Sequence, residues 1–391
     1  MKTTVVRTIA MRTLAAIIAF ATLIVAPAAS QTSANGLMYL GTLDKKVLVI
    51  DEDKEEVVGE IPMVGVPRMT ALSADKKQLY VINTRMGLEA VDLAARKSSI
   101  LLNLSDGRSR PDVFGFAPDL INPGNYDFDG FSGLAVDPTG QYLYSSMRVT
   151  VKDLDEYRIE PMKFVAIDLH NRTIGKTFPF PKELDQGFGP MVSFKVSPDG
   201  KLLYAFGKDI LIFDLATFTQ VGKIELSKPT YPGASPLRLS ATDDPYDDST
   251  KVTSVFTAVD PIVHKGTLGL ATLNLTTREV SYMPIGPSFP MLGFMVNPDR
   301  KLGYSVMFNY AGGNRRTEWW VWDLQSHQVI KTQPFESRPT FKFGISSDGK
   351  KLYLYGSGST LEIFDAATLT SRKLLYLNRD ITTNLVTLAR K

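Results

Sequence analysis

The feature that most limits how this chain can fold is a turn-and-strand unit that returns five times. It reads Ser73-Ala-Asp75-Lys-Lys-Gln-Leu79-Tyr80, then Asp137-Pro-Thr-Gly140-Gln-Tyr-Leu143-Tyr144, Ser197-Pro-Asp199-Gly200-Lys-Leu-Leu203-Tyr204, Asn297-Pro-Asp299-Arg-Lys-Leu302-Gly-Tyr304 and Ser346-Ser-Asp348-Gly349-Lys-Lys-Leu352-Tyr353. In every copy the first polar residue and the Tyr stand seven positions apart. Pro presets φ, Asp caps a turn through its side chain, and Gly takes positive φ without strain. The Leu-x-Tyr-like run that follows has strand character.

A second element punctuates the spaces between these turns: an apolar run closed by an Asx residue. The seven copies are Val47-Leu-Val-Ile-Asp51, Leu88-Glu-Ala-Val-Asp92, Phe164-Val-Ala-Ile-Asp168, Ile210-Leu-Ile-Phe-Asp214, Leu270-Ala-Thr-Leu-Asn274, Trp320-Val-Trp-Asp323 and Leu361-Glu-Ile-Phe-Asp365. Seven units of roughly fifty residues, each with four strands, predict an all-β chain folded as a single seven-bladed β-propeller of four-stranded antiparallel blades. One such sheet cannot bury both faces alone, whereas radial stacking buries them and leaves only short edges. Unit 1 lacks the turn, and unit 5 replaces it with Thr242-Asp-Asp-Pro-Tyr-Asp-Asp-Ser-Thr250. The tail from Asp380 to Leu388 is expected to be a strand, either beside Leu37–Leu40 or completing blade 7.

The first 34 residues read as a signal peptide and leader, with the propeller occupying 35–391. Lys2, Arg7 and Arg12 form a basic segment, and Leu14 to Val25 is apolar or small except for Thr22. Small residues at Ala26, Ala28, Ala29 and Ser30 then place cleavage near Ser30 or Ala34. Twelve helical residues span about 18 Å, short of the ~30 Å of a hydrocarbon core. An uncleaved anchor is the competing reading, and no later stretch is long enough to span a membrane. The expected location is therefore exported, periplasmic or extracellular. Of 44 basic residues three lie in the first 30, leaving 41 against 41 acidic ones. A neutral mature chain argues against a nucleic-acid partner, which demands a basic face.

At this point the residues carry a resemblance. Ser197 to Tyr204 resembles the repeat of the bacterial YVTN-type propellers. Ser346 to Tyr353, Leu361-Glu-Ile-Phe-Asp-Ala-Ala-Thr-Leu369 and Asp380-Ile-Thr-Thr383 are similar to the propeller subunit of quinohaemoprotein amine dehydrogenase and, more distantly, to the methylamine dehydrogenase heavy chain. The likeness covers most of 36–391 as repeat layout. It implies the propeller fold and partner redox subunits that carry quinone and haem. The chain has no Cys and so no Cys-x-x-Cys-His. It is expected to bind no c-type haem or quinone itself, so any redox centre would sit in a partner.

Histidine is as sparse as cysteine is absent. His170 and His327 fall just after the blade Asx residues and are expected as surface turn positions, while His264 is expected in a loop after Pro261. There is no G-x-S-x-G elbow and no P-loop. Asn125, Asp127 and Asp129, spaced by two before Gly130, begin like a Ca²⁺ loop but lack its closing Glu. Those residues, or Asp243, Asp244, Asp247 and Asp248, would hold Ca²⁺; a solvated loop with Asx turns is the alternative. A Pro precedes the first strand of several blades at Pro67, Pro190, Pro236, Pro290 and Pro339. Arg68, Phe131, Met191, Arg238, Met291 and Arg338, with Phe341, are therefore the candidate residues of the central funnel. Arginines converging on one axis call for a small anionic ligand or for local acids. The aromatic insert 102–130 is the longest irregular stretch, suited to capping the channel or docking a partner. In Trp319-Trp-Val-Trp322 alternation puts Trp320 and Trp322 on one face, as inter-blade core.

The expected function is an exported, non-catalytic binding or scaffold propeller, as a subunit of an amine dehydrogenase-like periplasmic complex or holding another periplasmic protein. The alternatives are a lactonase-like or metal-assisted hydrolase using acids and arginines in the funnel, and a surface interaction protein.

Overall fold

Apolar runs rich in Val, Ile, Leu and Tyr fold here into strands because such side chains fit a pleated, buried surface. The computed structural model describes residues 36–84, 87–103, 109–112, 134–152, 157–184, 193–226, 249–259, 264, 266–287, 291–309, 316–336, 341–356 and 358–388. Blade 1 contains β1 (Leu37–Thr42), β2 (Lys46–Asp51) and β3 (Glu56–Pro62). Blade 2 contains β4 (Pro67–Leu72), β5 (Gln78–Asn83), β6 (Gly87–Asp92) and β7 (Lys97–Asn103). After β8 (Ser109–Asp112), blade 3 contains β9 (Ala135–Val136), β10 (Tyr142–Lys152), β11 (Tyr157–Ile159), β12 (Lys163–Asp168) and β13 (Thr173–Pro179). Blade 4 contains β14 (Ser193–Val196), β15 (Leu202–Phe206), β16 (Ile210–Asp214) and β17 (Gln220–Ile224). Blade 5 contains β18 (Lys251–Val259), β19 (Gly266–Asn274) and β20 (Val280–Pro287). Blade 6 contains β21 (Met291–Val296), β22 (Leu302–Asn309), β23 (Arg316–Asp323) and β24 (Gln328–Phe335). Blade 7 contains β25 (Phe341–Ile345), β26 (Lys351–Gly356), β27 (Thr360–Asp365) and β28 (Ser371–Tyr376). The last strand, β29 (Val386–Leu388), returns to blade 1.

That return is the ring closure. β29 pairs antiparallel with β1, Leu37 opposite Leu388 and Tyr39 opposite Val386. It resolves the two placements open for the tail, and only its last three residues are strand, with a further bridge from Ile381 to Thr42. The missing turn of unit 1 now has a reason. Its innermost strand comes from the other end of the chain, so no turn joins it to β1. Blade 5 shows three strands among the described residues, and its degenerate acidic segment lies almost wholly outside them.

Each blade is buried between two neighbours. Tyr39 and Val49 pack on Leu79 and Val91, joining blades 1 and 2. Ile82 and Leu88 meet Leu143 and Val165 between blades 2 and 3, and Phe164 meets Leu203 and Phe213 between 3 and 4. Tyr204 and Ile212 meet Phe256 and Leu273, and Leu268 and Leu270 meet Trp322. Val321 and Trp319 meet Leu352 and Phe364. Finally, Tyr353 and Ile363 meet Leu40 and Ile50, joining blade 7 to blade 1. Seven apolar seams close a seven-membered ring. A strand with a neighbour on both faces needs apolar residues at every position. Ile210 to Phe213 of β16 are accordingly all buried, whereas the outermost β13 is exposed along most of its length.

The Asx residues are turn caps in all seven blades. Asp214 Oδ1 accepts from the backbone of Ala216 at 3.0 Å and Thr217 at 2.9 Å. Asp51, Asp92, Asp168, Asn274, Asp323 and Asp365 do the same two and three residues on. Four positions after each Asx a non-glycine residue takes positive φ: Glu55, Arg96, Arg172, Phe218, Arg278, His327 and Leu369. Backbone N–H donors hold the carboxyls of Asp168, Asp214, Asp323 and Asp365 below the ordinary range. A depressed folded pKa gives stability that is complete above the unfolded carboxylate value and lost as pH falls through the folded one. Thermal scans should show a Tm that holds between about pH 5 and 6.5 and declines toward pH 2.5, since free Asp titrates near 3.9. An unchanged Tm at pH 2.5 would contradict this account.

Two contacts show how tightly the ring is packed, one between blades and one within a blade. The Tyr204 hydroxyl donates to the Leu275 carbonyl of blade 5 at 2.7 Å inside the seam. Tyr204→Phe would leave that carbonyl buried and unpaired, at about 1–2 kcal/mol. At Gly269 an added Cβ would lie 2.4 Å from the Phe256 ring and 2.5 Å from the Met283 carbonyl oxygen. Gly269→Ala should therefore cost about 3 kcal/mol in denaturant melts, the upper end for overpacking, because a backbone atom cannot rotate away. The tryptophan run is core on both faces. The rings of Trp320 and Trp322 lie 5.7 Å apart on one side, while Trp319 packs on Phe343 and Phe364 on the other.

Candidate functional site

The innermost strand of a blade lies nearest the ring axis; it is the first strand of blades 2, 3, 4, 6 and 7, and β29 in blade 1. β4 touches β9, β9 touches β14, and β21 touches β25, as adjoining inner strands must. Two of the six funnel candidates fall on these strands. Arg68 is the second residue of β4 and is half-buried. The register runs from Pro67 opposite Asn83 directly to Met69 opposite Ile82, so Arg68 is the extra residue of a bulge. Pro67 suits the position before it, since a strand's first residue need not donate. Met291 opens β21 opposite Met307, and that strand is also irregular, between Leu292 and Met295. Bulges near an entrance re-aim side chains. Phe131, Met191, Arg238 and Arg338 lie outside the described residues, as do Asn125, Asp127 and Asp129. Among the described residues no acid forms an ion pair with Arg68, and no group of three His, Cys, Asp or Glu stands close enough to hold a metal.

Around Arg68 the backbone is tightly held. Gly41 of β1 donates to Thr383 Oγ1 at 2.8 Å, and a Cβ there would meet the Thr383 methyl at 2.5 Å and Pro67 Cβ at 2.7 Å. Behind Pro67 stands a carboxylate the sequence analysis did not single out. Glu89, 1% exposed, accepts from Asn83 Nδ2 at 2.5 Å and from the Val64 backbone at 3.0 Å. It fixes the 63–66 loop that delivers Arg68 to the axis. Its signal was available, an acid inside the apolar run Leu88-Glu-Ala-Val. On the outer side of blade 1, Lys46 and Arg379 pair with Glu60 at 2.6 and 2.7 Å and with Asp44 at 3.5 and 3.2 Å. The Lys46 hydrogen bond holds the Glu60 carboxyl below its ordinary range. This neutral quartet is what an arginine matched by local acids looks like, and Arg68 has no such set among the described residues.

Histidines 170, 264 and 327 are exposed, as the turn and loop positions implied, and two carry positive φ, His264 and His327. His170 edges a groove of about 370 Å³ between blades 2 and 3, with Tyr80, Leu169, Ser73, Gln78 and Thr139. The equivalent residues of the next seam but one, Tyr204 and Leu275, are hydrogen-bonded, so the groove marks a seam that is less tightly shut.

Of insert 102–130, residues 102–103 end β7 and 109–112 form β8, while 104–108 and 113–130 lie outside the described residues. Its β8 pairs with the far half of β10, Asp112 opposite Arg148 and Ser109 opposite Val151. On the other side of that half lies β11, Ile159 opposite Thr150. Only Tyr142 to Met147 of β10 pairs with β12 inside the blade. Residues 148–152 thus form the centre of a three-stranded extension beyond blade 3.

This fold defines the chain as a seven-bladed β-propeller. No protein-family model matches it, and no curated relative matches it. Among solved structures, a functionally unknown protein from Desulfotomaculum acetoxidans is similar at 10% identity and a TM-score of 0.52, over 91% of this chain and 100% of that one. Dihydro-heme d1 dehydrogenase NirN is similar at 14% identity and 0.48, over 90% and 75%. AztD from Citrobacter koseri is similar at 12% and 0.46, over 90% and 98%. Such likenesses speak to the fold alone.

Proposed function

We propose that this chain is an exported, non-catalytic propeller that serves as the binding or scaffold subunit of a periplasmic complex of the amine dehydrogenase kind, its redox groups supplied by partners. The observation that supports this most is the β8–β10–β11 extension. This small sheet continues a core strand of blade 3 past the residues that pair inside the blade. Projections carried on a scaffold strand suit docking. The test is purification of the tagged protein from its own exported fraction. Co-purification of a polypeptide with c-type haem absorbance is expected. Replacing 149–158 by an Asn-Gly turn should abolish it while leaving Tm within ~2 °C, since the blade's own strands are untouched. A protein that purifies alone, or partners retained after the replacement, would overturn the reading.

A second reading rests on Arg68. A half-buried guanidinium on a bulge near the axis is suited to a carboxylate ligand. Titration with succinate should show binding that Arg68→Ala with Arg238→Ala weakens at least about tenfold, the loss expected for one charge-assisted contact. Unweakened binding in the double variant removes this reading and leaves the scaffold role standing.

A further inference from the structure

The seam between blades 7 and 1 contains a carboxylate at a position where the other blades carry Leu or Ala. The residue after the blade Asx is Leu93, Leu169, Leu215, Leu275, Leu324 or Ala366 in blades 2 to 7, and Glu52 in blade 1. Glu52 is 0% exposed. Its carboxylate accepts from the Ser347 hydroxyl at 2.6 Å, the Tyr353 hydroxyl at 3.1 Å, the Ser347 backbone at 3.2 Å and the Gly36 backbone nitrogen at 2.7 Å. No cation pairs with it among the described residues. The nearest one, Lys351, is committed to Glu55 at 3.0 Å and to the backbone carbonyl of Glu52. Arg372 lies 3.8 Å from Glu55, and Lys373 donates to the Glu55 carbonyl at 2.6 Å. The seam therefore buries one negative charge in excess. Burial pushes the Glu52 carboxyl up, and the hydrogen bonds from Ser347, Gly36 and Tyr353 oppose it.

The nitrogen facing this carboxylate belongs to Gly36, the first described residue. That nitrogen has two acceptors, Glu52 Oε2 at 2.7 Å and Ser347 Oγ at 3.0 Å. A peptide nitrogen has one hydrogen to share between them, whereas an α-ammonium has three. The leader reading puts cleavage near Ser30 or Ala34, and the second of these sites lies next to this nitrogen in sequence.

We propose that Glu52 is the receptor for the mature amino terminus: leader removal at Asn35 or Gly36 delivers an α-ammonium to the buried carboxylate and completes the seam that closes the ring. The proposal rests on the leader reading but not on the scaffold role. Consecutive Cα atoms are about 3.8 Å apart, so an ammonium on either residue falls within the ~6 Å over which opposite charges shift each other's titration. The new charge balances the excess that the seam otherwise buries, and it does so only after export.

The experiment takes the exported full-length product and reads two quantities. Intact mass gives the amino terminus, expected at Asn35 or Gly36. A start at Gln31 overturns the proposal alone, and a start at Met1 overturns the leader reading with it. The second quantity is Tm from pH 6.5 to 9.5. A paired α-ammonium has a raised folded pKa, so its stabilisation is present below the ordinary α-amino value near 8 and is lost as pH rises through the folded one. Wild type should lose several degrees over this range, and Glu52→Gln should not. Lys351, Glu55, Tyr353, Arg372 and Lys373 are common to both proteins and cancel in the comparison. Should Glu52→Gln fail to fold, Ser347→Ala keeps the carboxylate and should keep the pH slope. A slope that persists in Glu52→Gln, or is missing from both wild type and Ser347→Ala, sinks the proposal.

Discussion

Ending the chain at Asn384 will open the ring. The missing piece is small, but it contains β29 and with it the ladder to Leu37–Tyr39, leaving only the hydrogen bonds from Asp380 to Thr383 to hold the tail on β1. Leu385 packs in the seam between blades 7 and 1, and its backbone donates to the Tyr355 hydroxyl at 3.0 Å. Val386 and Leu388 pack in the seam between blades 1 and 2. Three half-buried apolar side chains and their ladder bonds amount to about 5 kcal/mol. At ~2.1 cal/mol/K per residue in a ring of this length, that is a fall of about 7 °C in Tm. The physical consequence exceeds the number, because Leu37 to Tyr39 of β1 become an unpaired edge. Calorimetry of the two proteins side by side checks it. A truncated chain that melts within ~2 °C of the full one would mean that closure relies on the blade 7–1 side chains alone.

Trp319→Ala should be the most damaging single substitution in the described core, at about 3–5 kcal/mol. Trp319 is 0% exposed and lies 5.3 Å from Phe335, 5.4 Å from Phe343 and 5.5 Å from Phe364, ring to ring. It is the centre of the seam between blades 6 and 7, and no neighbour can collapse into the space it would leave without breaking its own stack. Trp319→Phe should cost well under half as much. The indole nitrogen of Trp319 is buried with no hydrogen-bond partner, so removing it relieves a desolvated donor. Its neighbour Trp322 is the reverse case, with Nε1 donating to Ser305 Oγ at 2.8 Å. Urea midpoints for the two variants and the wild type rank the effects. A Phe variant as unstable as the Ala one would show that ring size, not polarity, governs the site.

How much of this was legible beforehand follows from how local each signal is. A turn of Ser, Asp and Gly seven residues ahead of a Tyr is written in consecutive side chains. So is the Asx cap, whose hydrogen bonds reach two or three residues on. These gave seven blades and their order. The funnel was legible only as a position: Arg68 and Met291 do open inner strands. The bulge that isolates Arg68 depends on the register of β4 against β5, which no short stretch encodes. Glu52 was visible as an acid where the other blades have Leu or Ala, and Glu89 as an acid inside an apolar run, yet their importance lies in partners 295 and 25 residues distant.

The chain's own order therefore determined the number of blades, the chemistry of their turns and the apolar character of their middle strands, because each is satisfied within a few residues. Tertiary structure decided the closure of blade 1 by β29, the third strand that β8 adds beside β10, and the buried carboxylate at the closing seam. Those features bring together residues from opposite ends of the sequence or from separate blades, and only the folded ring sets which polar groups lose water and must find each other.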